Sequence, residues 1–235
     1  MNQFEPKRAI ILAAGRGKRL RPYTDKTPKP LLPVAGRPTL DYILSACQAA
    51  GVMDVCLIVG HLGEQIEAFV GNGRSWNMNA SFITQTSLLG TAHAVQAAAD
   101  FIQTPCFIMA GDYILPPDYL QTLKEAYLAA QTDLAVSLKQ LPEAELNSRS
   151  SIRFADDGTI LEIVEKPAPG TAPSTIGASL IYIVPTAITT FLNMLTMSQR
   201  QEYELPTTIN HMLNAGYTMT GRLQDAPAEW EKPIS

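Results

Sequence analysis

Residues 9–59 read AIILAAGRGKRLRPYTDKTPKPLLPVAGRPTLDYILSACQAAGVMDVCLIV, and the fold prediction starts from this stretch. It begins with a continuous apolar run, residues 9–13, and ends with a second one, residues 55–59. Such runs are typical of strands buried on both faces of a sheet. Between them, residues 39–50 carry apolar side chains at spacings of three and four and stop at Gly51, which predicts a helix. The stretch therefore predicts a strand–helix–strand unit with parallel strands.

The same alternation continues along the chain. Apolar patterning predicts helices over residues 62–70 and 91–100 and strands over residues 81–84 and 106–110. Beyond Thr132 strands predominate, and we predict strands over 134–138, 151–154, 160–164, 179–184 and 217–223, an Asp157-Gly158 hairpin turn, and helices over 186–195 and 205–214. This order indicates a three-layer α/β/α fold with a mixed, mostly parallel, Rossmann-like sheet. No repeat or linker interrupts it, so we expect residues 1–235 to form one domain.

Composition and charge exclude several classes of protein. The formal net charge is −4, and no basic run exceeds two residues, which argues against a nucleic-acid groove. The longest apolar stretch, residues 176–188, is too short to span a bilayer and contains Pro185, and the amino terminus has no signal-peptide pattern. Cys47, Cys56 and Cys106 lie in apolar or helical runs, which is typical of buried reduced thiols. We therefore expect a cytoplasmic protein with no membrane or nucleic-acid partner.

The loop after the first strand is basic and rich in glycine, at the place where ligands of open α/β sheets bind. Gly15 and Gly17 let the backbone turn tightly and present N–H groups to an anion. Pro28 and Pro30 stiffen the loop on both sides of a lysine. The chain is acidic overall, so a small polyanionic ligand is indicated by the basic side chains that crowd this loop, among them Lys18, Arg19, Arg21, Lys26 and Lys29. The glycine spacing matches neither a P-loop nor a dinucleotide fingerprint.

The string from Gly15 to Val34 resembles the pattern G-x-G-T/K-R-L-x-P-x-T-x-x-x-P-K-P-L-L-P-V of the sugar-1-phosphate nucleotidyltransferases, or nucleotide-sugar pyrophosphorylases. The similarity continues through residues 85–95, Gly111-Asp112 and Glu165-Lys166-Pro167, and so covers nearly the whole chain. The resemblance implies that a nucleotidyl group passes from UTP or dTTP to a sugar-1-phosphate, which yields a nucleoside-diphosphate sugar and pyrophosphate. It also implies Mg²⁺ as the cofactor.

The resemblance assigns expected roles to particular residues. Arg19 would meet the triphosphate, Lys29 would stabilise charge at the α-phosphoryl group, and Asp112 would hold Mg²⁺, a cation that takes one or two carboxylates plus phosphate oxygens. Lys166 would hold the sugar phosphate, and Glu165 would accept hydrogen bonds from sugar hydroxyls. The residues expected to bind the nucleotide are Leu12, Ala14, Gly15, Gly17, Lys18, Gln85, Gly90 and Thr91. The amide of Gln85 offers a donor and an acceptor, which matches the edge of uracil or thymine.

Three positions depart from the family pattern. Ser150 stands where relatives usually carry a glycine, and Ala178-Ser179-Leu180 replaces an Asn-x-Gly; both positions are expected to line the sugar pocket. Near the end, Trp230-Glu231-Lys232-Pro233 puts a lysine where relatives carry a second metal-binding aspartate, and Asp225 is the candidate substitute. The chain ends soon afterwards, so a carboxyl-terminal tail is expected to be missing.

Two other functions stay open at this point. The acceptor can be another phosphorylated small molecule such as phosphocholine, because the sugar-pocket matches are weakened. The protein can also be a regulatory relative that binds a nucleotide sugar with little catalysis, a reading suggested by Lys232 and opposed by the retained Arg19, Lys29, Asp112 and Lys166. UTP and dTTP are equally compatible with the sequence, and so is a homo-oligomer.

Overall fold

The computed structural model describes residues 5–198 and 201–229. Its helices are α1 (Thr39–Ala49), α2 (Gly63–Val70), α3 (Thr91–Ala97), α4 (Tyr119–Ala130), α5 (Ile188–Leu192) and α6 (Leu205–Asn214). Its strands are β1 (Arg8–Leu12), β2 (Pro33–Val34), β3 (Arg37–Pro38), β4 (Asp54–Val59), β5 (Asn79–Thr84), β6 (Cys106–Ala110), β7 (Tyr113–Ile114), β8 (Leu134–Gln140), β9 (Ser150–Phe154), β10 (Ile160–Glu165), β11 (Ile176–Val184), β12 (Met219–Leu223) and β13 (Ala228–Glu229).

Seven of these strands form the central sheet, in the order β12-β8-β11-β6-β1-β4-β5. Strand β11 is antiparallel to both of its neighbours, and the other six run in one direction. The mixed, mostly parallel sheet that the sequence predicts is therefore confirmed. The chain order reverses at β1, which has β4 on one side and β6 on the other, so the carboxyl ends of these strands border a crevice.

Helices cover both faces of the sheet. Alternate side chains of the buried strands point to opposite faces, so Ile11 packs with α1, α2 and α4, whereas Ile10 packs with α3, α5 and α6. The hairpin formed by β9 and β10 adds Ile152 and Ile163 to the second core. It turns at Asp157-Gly158, as predicted. The predicted three-layer α/β/α arrangement is confirmed.

The structure corrects the bounds of two predicted helices. The helix predicted over 186–195 is only the short α5, because Ile188 N donates to Pro185 O in a tight turn at its start and Met194 after its end is half exposed. The helix predicted over 91–100 ends at Ala97, and a 3-10 turn follows. The apolar pattern did not locate α4. It also missed the strand pairs β2–β3 and β7–β13, since strands of two residues show no periodicity.

The last described strand returns to the crevice. Ala228 pairs with Ile114 and Glu229 with Tyr113, so β13 lies beside the residues that follow Asp112. The Trp230-Glu231-Lys232-Pro233 departure, on which the regulatory reading depends, lies outside the described residues.

The three cysteines are buried and free, as predicted. Burial raises the pKa of the Cys47 thiol to about 12 and also raises the pKa values of Cys56 and Cys106, so all three stay protonated and unreactive near neutral pH. In the part of the chain that the structure describes, no helix combines the length and the apolar character that crossing a membrane requires.

Candidate active site

Two adjoining pockets open at the carboxyl ends of the parallel strands. The first has a volume of about 680 Å³ and lies over the end of β1. The second, of about 470 Å³, lies between β11 and the β9–β10 hairpin. Arg19, Thr91, Leu180 and Glu202 line both pockets, so the two form one continuous cleft.

The first pocket gathers every residue predicted to bind the nucleotide, together with the three predicted catalytic side chains. These residues are Leu12, Ala14, Gly15, Gly17, Lys18, Arg19, Lys29, Gln85, Gly90, Thr91 and Asp112. They come from the ends of β1, β5 and β6 and from the start of α3, and the parallel sheet is what brings these distant segments together. Their individual roles remain predictions.

One backbone carbonyl oxygen joins the start of the basic loop after β1 to residues further along the loop. Gly17 has a left-handed backbone with φ of +58°, and its carbonyl oxygen accepts hydrogen bonds from Leu20 N at 2.8 Å and from Thr24 Oγ1 at 2.9 Å. This closure leaves the side chains of Lys18 and Arg19 exposed at the rim of the cleft. The arrangement can meet several negative charges of one ligand.

Lys29 and Asp112 meet at the junction of this loop with β6. Lys29 Nζ lies 2.5 Å from Asp112 Oδ2, and both side chains are largely buried, at 16% and 29% exposure. Pro30 is buried behind the lysine, and its carbonyl oxygen accepts a hydrogen bond from Thr39 Oγ1 at 2.8 Å. The hydrogen bond from Thr39 holds the backbone next to Lys29 beside the Asp112 carboxylate.

Gln85 lies at the other end of the first pocket and is almost fully buried. Its backbone N–H donates to Val59 O at 2.8 Å. Its side-chain Nε2 lies 3.1 Å from His93 Nδ1 and 3.5 Å from Gly90 O. The sequence analysis assigned no role to His93, although its position in the first turn of α3, three residues after Gly90, was a signal that could have drawn attention to it.

Gly90 is required by a close backbone approach that the sequence did not reveal. Its φ is +121°, and a Cβ at this position would lie 2.4 Å from Tyr203 O. The segment around Tyr203 is held against the start of α3, because Tyr203 N donates to Leu89 O and Ala92 N donates to Tyr203 O, both at 2.8 Å. Leu205 N donates to Thr91 Oγ1 at 2.9 Å. This end of the first pocket is thus built on backbone contacts.

We expect Gly90→Ala to lower the free energy of unfolding by about 3 kcal/mol, because the new methyl group meets backbone atoms and the left-handed φ disfavours it. Chemical denaturation measures the loss. The control is Gly15→Ala, where no described atom lies within 4 Å of the added Cβ, and we expect a change below about 0.5 kcal/mol. A Gly90→Ala protein as stable as the wild type would contradict the contact with Tyr203.

The second pocket contains the predicted sugar-phosphate residues. Ser150 Oγ donates to Glu165 Oε2 at 2.6 Å, and Lys166 Nζ lies 3.9 Å from Glu165 Oε1. Lys166 has a left-handed backbone with φ of +47°, and its N–H donates to Arg149 O at 3.1 Å. Of the positions that depart from the family pattern, Ser150, Ala178 and Leu180 line this pocket, whereas Ser179 does not.

Charges of both signs line the second pocket, and the sequence analysis identified only some of them. The basic side chains are Arg19, Lys139, Arg149 and Lys166, and the acidic ones are Glu145, Glu165, Glu202 and Glu204. Lys139 carries a sequence signal that could have been used, because it is a charged residue in the mostly apolar strand β8. Burial raises the pKa of the Tyr182 hydroxyl, so Tyr182 contributes a neutral phenol to the wall.

Of the two carboxylates predicted to hold Mg²⁺, Asp112 lies in the cleft and Asp225 does not. Asp112 lines the first pocket, whereas Asp225 lines neither pocket and is exposed, with its carbonyl oxygen accepting a hydrogen bond from Tyr119 at 3.2 Å. Within residues 5–198 and 201–229, no group of three or more His, Cys, Asp or Glu side chains could hold a metal. One carboxylate suffices for Mg²⁺ when phosphate oxygens and water complete its coordination.

Comparison with known proteins agrees with this geometry. The family model described as nucleotidyl transferase matches residues 8–231. The glucose-1-phosphate thymidylyltransferase of Streptomyces griseus is 35% identical over 211 residues, which are 89% of this chain and 58% of that protein. The low-salt glycan biosynthesis nucleotidyltransferase Agl11 of Haloferax volcanii is 32% identical over 90% of this chain and 58% of its own. The bifunctional protein GlmU of Methanocaldococcus jannaschii is 30% identical over 95% of this chain and 52% of its own.

Solved structures share the fold at lower sequence identity. A UDP-glucose pyrophosphorylase complexed with UDP-glucose superposes with a TM-score of 0.78 at 22% identity, over 89% of this chain and 88% of the other. An apo UDP-glucose pyrophosphorylase gives a TM-score of 0.79 at 20% identity, over 96% and 92% of the two chains. The fold prediction is confirmed by these matches.

The chain belongs to the nucleotidyl transferase family. Within that family it is a member of the sugar-1-phosphate nucleotidyltransferases, the class that the sequence resembles. It spans between 47% and 58% of the length of these and the other curated relatives compared with it.

Proposed function

We propose that the protein transfers a nucleotidyl group from UTP or dTTP to a sugar-1-phosphate and releases pyrophosphate, with Mg²⁺ as cofactor. The observation that carries the proposal is the continuous cleft with the Lys29–Asp112 pair in its first pocket and Lys166 in its second. A cleft of two pockets fits a reaction of two substrates. The basic rim at Lys18 and Arg19 fits the triphosphate, which is the more highly charged of the two.

In the proposed reaction, a phosphate oxygen of the sugar-1-phosphate attacks the α-phosphorus of the nucleotide in line with the leaving group. A new O–P bond forms, and the bond between the α-phosphorus and the bridging oxygen breaks, so pyrophosphate leaves with the electron pair. The attacking phosphate is largely dianionic near pH 7, because the second pKa of a phosphate monoester is about 6. No general base is therefore required.

The role of the protein in this reaction is to position two polyanions and to offset their charge. Arg19 presents a permanently charged, forked guanidinium at the border of the two pockets. Lys29 would meet the charge that develops at the α-phosphoryl group, and Lys166 would seat the sugar phosphate. Asp112 would hold Mg²⁺, which when bound supplies further positive charge to the phosphate oxygens.

Two alternative functions compete with the proposed one, and particular residues bear on each. An acceptor other than a sugar is favoured by Ser150 and Ala178 in the lining of the second pocket, where relatives are expected to carry Gly and Asn. A regulatory, weakly catalytic protein is disfavoured by the retained pair of Lys29 and Asp112. We further propose that residues 5–198 and 201–229 form one domain around the seven-stranded sheet and that the enzyme is cytoplasmic, because its three cysteines are buried and free.

Pyrophosphate release tests the proposal directly. The purified protein is incubated with Mg²⁺, each of ATP, CTP, GTP, UTP and dTTP, and each of a panel of sugar-1-phosphates, with phosphocholine as an additional acceptor. We expect release that requires both UTP or dTTP and one sugar-1-phosphate. Release with phosphocholine alone would move the function to the other acceptor class. A protein that binds UTP but releases nothing across the panel would support the regulatory reading.

A further inference from the structure

The β9–β10 hairpin lies outside the central sheet and forms one wall of the second pocket. Its open end faces this pocket, with Ser150 at the start of β9, Glu165 at the end of β10 and Lys166 directly after it. Glu204 and Pro206, at the start of α6, line the same pocket. The width of the pocket therefore depends on how the hairpin is held against α6.

One side chain of α6 joins this helix to β10. Asn210 Oδ1 accepts a hydrogen bond from Ile163 N, and Asn210 Nδ2 donates to Ile163 O, each at 2.9 Å. A backbone N–H can only donate and a carbonyl oxygen can only accept, so the backbone of β10 determines which end of the amide meets which group. Asn210 thus pairs with both polar groups of one residue, as a neighbouring strand would, two residues before Glu165.

The other strand of the hairpin is held independently of Asn210. Ser151 Oγ donates to Ser174 O at 2.8 Å, and Ser174 Oγ donates to Ile152 O at 2.7 Å. The side chains of Ile152 and Ile163 are also buried in the second core. Loss of the Asn210 contact would therefore leave the hairpin folded, while the end of β10 would no longer be fixed relative to α6.

We propose that Asn210 is a positioning residue for the acceptor, because its contact with β10 sets the place of Glu165 and Lys166 relative to the start of α6. The inference rests on the proposed function, in which the second pocket holds the sugar-1-phosphate. It goes beyond that function because Asn210 lines neither pocket and acts through the backbone of β10. The residues proposed to bind the nucleotide lie on other elements, so loss of Asn210 should act on the acceptor and spare the nucleotide.

The test compares the wild type with Asn210→Ala and Asn210→Asp by steady-state kinetics of pyrophosphate release, with the nucleotide and the acceptor varied in turn. Alanine removes both hydrogen bonds, so we expect the KM for the acceptor to rise about tenfold while the KM for the nucleotide stays within about twofold of the wild type. Aspartate keeps the shape of the side chain but turns an oxygen toward Ile163 O. It should raise the KM for the acceptor at least as much as alanine, which would exclude lost volume as the cause.

Asp133→Ala is the matched control, because this side chain also joins two segments by a pair of hydrogen bonds and lines neither pocket. Asp133 Oδ2 accepts from Thr218 N at 2.8 Å and from Thr218 Oγ1 at 2.9 Å. The control should lower the unfolding temperature and leave both KM values unchanged. A purely structural role of Asn210 would lower kcat with the fraction of folded protein and leave the KM for the acceptor unchanged, which would overturn the inference.

Hydrogen exchange of the whole protein provides a readout that does not depend on the reaction. We expect the amides of residues 160–166 to exchange faster in Asn210→Ala, and those of residues 85–97 to exchange as in the wild type. Unchanged exchange over residues 160–166 would overturn the inference. Failure of the proposed function is distinguishable: a wild type that releases pyrophosphate with phosphocholine alone would overturn that function, and the KM for phosphocholine would then decide the role of Asn210. A wild type that releases none with any acceptor would overturn both.

Discussion

Asp112→Asn is expected to lower kcat on the order of 100- to 1,000-fold while the protein keeps its fold. The substitution retains the shape of the side chain and removes its negative charge. The variant would thus lose the carboxylate that fits Mg²⁺ and the ion partner of Lys29. Pyrophosphate release over a range of Mg²⁺ concentrations measures the effect, and we expect the variant to need more Mg²⁺ for its residual activity.

The matched control for Asp112→Asn is Glu162→Gln. Glu162 accepts from Arg153 Nε at 3.0 Å on the β9–β10 hairpin, and it lines neither pocket. This control also loses one carboxylate and one ion pair, so near-normal turnover would show that the general loss of a charge is not the cause. Wild-type turnover of Asp112→Asn at saturating Mg²⁺ would remove Asp112 from the proposed mechanism.

Lys29→Met is the second large expected effect, again a loss in kcat on the order of 100- to 1,000-fold. Methionine retains an apolar stem of similar length against Pro30 but carries no charge. We expect kcat to fall more than the KM for the nucleotide rises, because the lysine is proposed to act on charge that develops during the reaction. Steady-state kinetics with the nucleotide and acceptor found in the panel separates the two parameters.

A lysine at the opposite end of the sheet provides the control for Lys29→Met. Lys7 immediately precedes β1 and pairs with Glu5 at 3.8 Å, far along the strand from the cleft. Lys7→Met should leave both kinetic parameters near their wild-type values. An increase in KM alone for Lys29→Met would mean that Lys29 binds the ground state and the transition state equally, contrary to the role proposed for it.

Most of the central sheet could be predicted from local patterns. Strands such as β1, β4 and β6 are continuous apolar runs, because their side chains are buried on both faces. The pair β2–β3 is a local hairpin of two-residue strands, too short to show a period, whereas β7–β13 could not be predicted because the rest of the chain brings β13 to β7. The helix predicted over 186–195 was too long, because the exposure of Met194 after the end of α5 is a tertiary property.

The sequence by itself determined the order of the elements and the chemistry of the first loop. The segment from Gly15 to Val34 can be interpreted without a structure, because the backbone freedom of glycine, the stiffness of proline and the charge of the basic side chains are properties of the residues themselves. Only the tertiary structure decided which distant groups meet. The pairing of Lys29 with Asp112, the approach of Tyr203 to Gly90 and the contact of the Gln85 side chain with His93 all join segments whose spacing carries no periodic signal. Such contacts follow from how the strands are ordered in the sheet and how the helices pack on it, which is information that no local window of sequence contains.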